Sequence, residues 1–456
     1  LKTDVLETKN PVGFLLERFQ SRNKNEAIIW RDESYSYEWL LQRISHWEDE
    51  LRRSDVRPGA VTVLEADFSP NSVALFLALI GQRCILVPLT SSVGEKKPEF
   101  IQVAEGEVSF IINDKDEVKV LRHGRAATHP IYRKLRDLGH PGLVLFSSGS
   151  TGRSKAAVHD FSNLLEKFKV PRRSLRTITF LLYDHIGGVN TLLYTLSNAG
   201  CLVTVQDRNP DAVLRAVEKH EVELLPTSPT FINLILLSEA YNNYDLSSLQ
   251  VITYGTEPMP ENTLKRIHAV LPGVRLQQTY GLSELGILRS KSRDSESLWV
   301  KVGGEGFETK VVDGILWIRA QSAMLGYLNA PSPFDSEGWF NTGDAVILNG
   351  EFMRILGRTS EIINVGGEKV YPVEVESLLQ SMDGVEDVTV SGEPNPIVGQ
   401  IVKARVKLNT GETASEFKQR MRASCRGRLP GHKIPQKVTI VSGSMLGERF
   451  KKMRRE

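Results

Sequence analysis

Residues 145–155 read LFSSGSTGRSK, and seven of the eleven are Ser, Thr or Gly. An apolar lead-in ends at Phe146. Ser147, Ser148, Gly149, Ser150, Thr151 and Gly152 then form a tight turn rich in hydroxyls and backbone N–H groups, and Lys155 adds a positive charge. Such a concave set of donors suits phosphate. The Gly-Lys-Ser/Thr that closes a Walker loop is missing. A plain Ser/Gly surface loop would have the same composition, so other residues must decide. Residues 278–284 (QTYGLSE) place the Ser283 hydroxyl beside the Glu284 carboxylate, shortly after Tyr280. Residues 339–344 (WFNTGD) present Asp344 in a tight turn. Gly357-Arg358 precedes GGEKVYP, which holds Gly366, Gly367 and Lys369. Taken singly, each of these has an ordinary structural explanation.

The elements that would position these groups are legible as hydrophobic pattern. Residues 71–80 read as a helix and 84–89 (CILVPL) as a buried strand. Residues 211–220 place Val213, Leu214 and Val217 on one helical face. A strand end follows at 223–226, a strand at 249–254 and a helix at 260–271. This alternation predicts an α/β fold of doubly wound subdomains with parallel sheets. Beyond about residue 300 the pattern changes. Strands at 309–312 and 315–319 flank Asp313-Gly314, and strands at 345–348 and 352–356 flank Asn349-Gly350. Both are hairpin signals, so a small antiparallel β region follows the α/β part. Helices at 373–379 and 414–422 and strands near 388–390 and 402–408 indicate a small α+β C-terminal domain.

Bulk properties exclude several classes. A chain of 456 residues is too long for one ordinary core. A net charge of +2 offers no nucleic-acid surface, and the basic run RFKKMRR at 449–455 is local. Three widely spaced cysteines, Cys84, Cys201 and Cys425, form no disulfide framework and suit a reducing, cytoplasmic setting. No signal peptide opens the given sequence. The longest apolar run, 73–80, is too short to span a bilayer.

In this order and spacing, the motifs resemble the adenylate-forming superfamily of acyl- and aryl-CoA synthetases, luciferases and peptide-synthetase adenylation domains. The acyl-CoA synthetase branch is the nearest. The resemblance runs from about Ser72 to the C-terminus and includes MLGYL at 324–328 and LPGHKIP at 429–435. It departs at Ser154 and Ala156, where the family has Pro and Gly around the loop lysine, and at Ser283, where it has Thr. It also departs at Ser360, where the hinge residue is commonly Asp or Lys, and in the C-terminal G-K-x-x-R-R, matched only from Lys451.

The resemblance implies that ATP and a carboxylic acid form an acyl-adenylate with loss of pyrophosphate. Coenzyme A or a carrier-protein pantetheine then takes the acyl group. It implies residues 1–357 as a large adenylate-forming domain, 358–361 as the hinge and 362–456 as a small mobile lid. The loop residues Ser147–Gly152 and Lys155 would hold the β- and γ-phosphates, Ser283 the α-phosphate and Glu284 Mg²⁺. Tyr280 would stack on adenine opposite Gly255, Thr256, Glu257 and Pro258, with Gln278, Thr279 and Gly281 alongside. Asp344 and Arg358 would take the ribose. Lys451, with Lys452 as the neighbouring alternative, would act at the reacting bond. The lid would turn about Ser360 and bring Gly366, Gly367 and Lys369 to the thiol tunnel. Two anions must meet in the first step, so charge neutralisation and positioning carry it.

For the acid, residues 181–188 (LLYDHIGG) are the expected wall. His185 and Gly188 resemble the H-x-x-G of acyl- and aryl-CoA synthetases. Tyr183-Asp184 also aligns with the aromatic-Asp pair of amino-acid-adenylating enzymes, so a stand-alone amino-acid activator is the alternative. A catalytically silent ATP-binding scaffold is the reading from another class.

Overall fold

The computed structural model describes residues 10–148, 154–443 and 445. Two seven-stranded sheets build the larger part. The first runs Arg275–Gln278, Val251–Tyr254, Leu224–Thr227, Arg176–Ile178, Cys201–Val203, Glu26–Trp30, Glu33–Ser36 and is parallel except at the last pair. The second runs Gly326–Tyr327, Ser154–Asp160, Gly142–Ser148, Ile85–Leu89, Val61–Glu65, Val108–Ile112, Val118–Arg122. Its middle strands are parallel and its outer pairs antiparallel.

Helices Pro70–Gly81 and Ile186–Ser197 are apolar on several faces, whereas Tyr37–Arg53 buries one face through Leu40, Ile44, Trp47 and Leu51. One core cluster joins Ile28 and Leu202 of the first sheet to Leu64, Leu86 and Leu143 of the second. The connecting residues come from helices Tyr37–Arg53, Pro70–Gly81 and Ile186–Ser197. Local chemistry fixes where such helices begin. Ser69 and Ser72 form a reciprocal capping box ahead of Pro70–Gly81, and Asn209 caps Pro210–Lys219. The observed starts precede the expected 71 and 211 because proline fits the first helical position.

A six-stranded antiparallel sheet follows, in the order Ser290–Ser292, Trp299–Val302, Phe352–Arg358, Phe340–Asn349, Ile315–Ala320, Phe307–Val312. Here one expectation changes. Asp344 lies inside the strand Phe340–Asn349, not in a tight turn before it, with a register shift between Ala345 and Val346. Gly343 takes the left-handed φ of 70° that permits this kink.

From Ile363 onward the buried apolar side chains form a core of their own, including Val388, Val390, Val402, Val406 and Phe417. Its helix Pro372–Gln380 leans on the large part, where Asn262 N donates to Ser377 Oγ at 3.1 Å. Among the described residues no helix is long and apolar enough to cross a membrane.

Candidate active site

The parallel strands Val251–Tyr254 and Arg275–Gln278 are neighbours in register, with Tyr254 opposite Gln278. The segments starting at Gly255 and Thr279 therefore leave the same edge of the sheet at the carboxyl ends of its strands, where open α/β sheets bind ligands. The two segments press closely together. A Cβ on Gly255 would lie 2.5 Å from Thr279 Oγ1, so only glycine fits there. Thr256 is held at φ 73°, a strained value for a β-branched residue. The Glu257 carboxylate accepts from Thr230 N at 2.8 Å, which ties this turn to the helix Pro229–Ser238. Gln278 is buried, and its backbone is held by Ser292 and Ser290.

One short segment then links two clusters of charge. At its start the Tyr280 hydroxyl donates to Asp344 Oδ2 at 2.5 Å, and Arg358 Nε reaches Asp344 Oδ1 at 2.9 Å. Asp344 and Arg358 face each other across neighbouring strands, so sheet register sets their pairing. Burial pushes the Asp344 carboxyl above its ordinary range, against the opposing pull of Arg358 and Tyr280. Burial, then the Asp344 charge, raises the Tyr280 phenol well above its usual value. Tyr280 and Asp344, expected to meet adenine and ribose separately, thus hold each other. The Tyr280 ring packs with Leu282, Leu285 and Leu288.

At the other end of the segment, Glu284 Oε1 accepts from the Tyr327 hydroxyl at 2.6 Å. The Lys155 ammonium lies 5.2 Å from the Tyr327 ring centre, a cation–π distance. Lys155 sits opposite Ser147 in the antiparallel pair Gly142–Ser148 and Ser154–Asp160. Asn329 clasps the backbone on both sides of Lys155: its Oδ1 accepts from Ala156 N and its Nδ2 donates to Ser154 O. The carbonyl of Ser283 accepts from His159 Nε2 at 2.6 Å. That contact requires the proton on Nε2, and burial holds this imidazole's pKa down. Asn329 and His159 escaped sequence reading. Asn329 directly follows the MLGYL motif, which was the available signal; His159 carried none.

Elsewhere the placement is mixed. Tyr183 is fully packed, edge-on to Phe68 and tilted against Phe76. Asp184 is buried, and its Oδ2 accepts from Thr90 at 2.9 Å and Ser92 at 3.2 Å. His185 is half-buried at the start of helix Ile186–Ser197. A Cβ on Gly188 would sit 1.9 Å from the Leu182 carbonyl oxygen, so the turn before the helix demands glycine. Ser360 is exposed in the turn Thr359–Glu361, immediately after Arg358. Gly366 and Gly367, at φ 61° and 92°, and the exposed Lys369 lie on the hairpin of Ile363–Val365 and Glu368–Val370. The glycine N–H groups donate within the small domain, to Val398 O and Asn364 Oδ1. Gly149, Ser150, Thr151, Gly152, Lys451 and Lys452 lie outside the described residues, as does the side chain of Ser148.

Comparison with known proteins identifies the family. Residues 16–328 match the AMP-binding enzyme family, and residues 374–449 match the AMP-binding enzyme C-terminal domain. The 4-coumarate–CoA ligase-like 9 protein of Arabidopsis thaliana is 30% identical over 309 residues. That alignment covers 60% of this chain and 54% of the relative, so the chain spans about half the length of that relative. The feruloyl-CoA synthase of an Amycolatopsis species is 26% identical over 88% of this chain and 89% of its own. In fold, the chain resembles an anthranilate CoA ligase solved with anthranoyl-AMP, with a TM-score of 0.82 at 20% identity. That match covers 97% of this chain and 95% of the other. The chain belongs to the AMP-binding enzyme family and, with it, to the adenylate-forming superfamily.

Proposed function

We propose that the protein activates a carboxylic acid with ATP, releases pyrophosphate and passes the acyl group to the thiol of coenzyme A. The observation that carries this reading is the span of residues 280–284. One end is joined to Asp344 and Arg358, and the other, through Glu284 and Tyr327, to Lys155. That is the layout needed for a nucleotide laid from ribose to terminal phosphates. The names of the relatives, a feruloyl-CoA synthase and a coumarate–CoA ligase-like protein, favour coenzyme A as the acceptor and an aryl or alkyl acid as the donor.

In the first step a carboxylate oxygen attacks the α-phosphorus, and the bond to the β-phosphate oxygen breaks. In the second the thiol sulfur attacks the acyl carbon, and AMP leaves. Lys155 would offset charge on the departing pyrophosphate, together with Ser147 and the loop after it. The Glu284 carboxylate fits a hard divalent cation shared with phosphate oxygens, and Mg²⁺ there would supply charge neutralisation. Asp344, held by Tyr280 and Arg358, would accept from the ribose hydroxyls. Lys451 would stand between the two reacting anions, and turning of residues 362–456 about 358–361 would carry it in and out.

Two features weigh on the rival readings. Asp184 Oδ2 already serves Thr90 and Ser92, which disfavours it as the partner of an α-ammonium. A buried carboxylate at Asp344 and a strained Thr256 are costly to keep without a ligand to serve, which disfavours a silent scaffold. Carboxylate-dependent ATP–pyrophosphate exchange tests the proposal. Exchange is expected with members of a panel of aryl and alkyl acids. No exchange with any acid, despite ATP binding, would overturn it; exchange only with α-amino acids would establish the amino-acid alternative.

A further inference from the structure

Lys167 belongs to none of the motifs above, yet it ties the helix that follows the expected acid wall, residues 181–188, to the hairpin after Tyr280. It follows strand Ser154–Asp160 and helix Phe161–Leu165, in the single turn Glu166–Phe168. Its ammonium donates to Asn190 Oδ1 at 2.6 Å and to the Ile287 carbonyl at 2.9 Å. Asn190 lies two residues beyond Gly188 on the helix Ile186–Ser197. Ile287 pairs in register with Gly281, the residue after Tyr280. One cation therefore bridges the helix behind His185 to the hairpin that carries Ser283 and Glu284.

Its electrostatic surroundings are unusual. Both acceptors are neutral, and among the described residues no carboxylate pairs with it. The adjacent Glu166 is taken by Lys169 at 2.5 Å. Arg172 and Arg289 add positive potential, and the carboxylate nearest Arg289, on the exposed Glu305, is 3.7 Å away. Burial, reinforced by these two arginines, pushes the Lys167 ammonium down to about 7. A packing role alone would be served as well by an uncharged side chain. A cation held among cations, with neutral partners only, is relieved either by losing its proton or by gaining an anion. Lys167, Asn190, Ile287 and Gly187 all keep accessible surface, whereas Ile186, Gly188, Val189 and Leu288 are buried. Gly187 and Asn190 are three apart and share a helical face.

We propose that Lys167 recognises a second anionic group, a carboxylate, at the end of the substrate remote from the acyl centre. The substrate class is then a dicarboxylic acid with one carboxylate activated and the other held by Lys167 between Asn190 and Ile287. This rests on the acid-activating function proposed above.

The experiment compares dicarboxylic acids of graded spacer length, aryl and alkyl, with their distal monomethyl esters, by kcat/KM in pyrophosphate exchange. At the best spacer the wild-type protein is expected to favour the free diacid over its ester by about 100-fold, the scale of a charge-assisted contact. In Lys167→Met the diacid is expected to lose about 100-fold and the ester far less, so the preference collapses. Lys167→Arg is expected to restore much of it. Equal losses for diacid and ester in Lys167→Met would overturn the proposal by showing a purely structural lysine. A wild-type preference for the ester would overturn it without any variant, so a poorly folding substitution does not protect it. Absence of exchange with every acid would instead contradict the underlying acid-activating function.

Discussion

Asp344 is a buried carboxylate whose desolvation opposes stability at the proposed nucleotide site. Burial raises its pKa above the ordinary carboxylate range, so the folded protein holds this proton more tightly than the unfolded chain. Its stabilising contribution is present below the unfolded pKa and is lost as pH rises through the folded one. Asp344→Asn removes that buried charge and keeps its shape. Relative to wild type, the variant is therefore expected to gain stability as pH is raised from 4 to 7 in urea melts, while pyrophosphate exchange falls about 100-fold or more. A variant that instead loses relative stability toward pH 7 would show that the ion pair with Arg358 outweighs desolvation. Tyr327 allows a second test at this scale. Tyr327→Phe keeps the ring beneath Lys155 but removes the hydroxyl that donates to Glu284. Exchange is expected to fall about 10-fold, with a higher Mg²⁺ concentration needed for half-maximal rate. An unchanged Mg²⁺ dependence would dissociate Tyr327 from the carboxylate proposed to hold the metal.

At the scale of elements, the turn at residues 181–188, the proposed acid-facing wall, is tightly constrained at Gly188. Gly187 and Gly188 look equivalent in sequence but not in space. A Cβ on Gly187 would meet only the Leu181 Cδ1 methyl at 3.2 Å, whereas one on Gly188 would overlap the Leu182 carbonyl at 1.9 Å. Gly188→Ala is thus expected to lower the melting temperature by several degrees or prevent folding, and Gly187→Ala to be tolerated. Thermal melts of the pair check this; comparable stability would mean that the turn relaxes freely. The pattern reading was strongest for such elements because period and caps are local. The helix 71–80, the strand 249–254 and the Asp313-Gly314 hairpin were all visible. Asp344 was misplaced into a turn because the strand Phe340–Asn349 contains a kink at Gly343, which looks like a chain reversal when only residue types are read. Asn329, His159 and Lys167 escaped the reading for a different reason. Each acts on a residue distant in the chain, and no local period encodes such a pairing.

At the scale of the whole molecule, the described groups of the proposed nucleotide site come from the large part, while the lysine proposed for the reacting bond lies at the far end of the chain. Residues from Ile363 onward possess their own core, as the proposed turning about the exposed segment at Ser360 requires. Lys451→Ala is accordingly expected to abolish acyl-adenylate formation while thiolysis of a supplied acyl-adenylate proceeds. Equal loss of both half-reactions would remove Lys451 from the role assigned to it. The claim underlying every scale is that a substrate carboxylate attacks the α-phosphorus of ATP. Oxygen-18 in that carboxylate tests it most directly, read by mass spectrometry of the products after thioester formation. One labelled oxygen is expected in AMP and none in pyrophosphate; label in inorganic phosphate, or AMP without label, would contradict the claim.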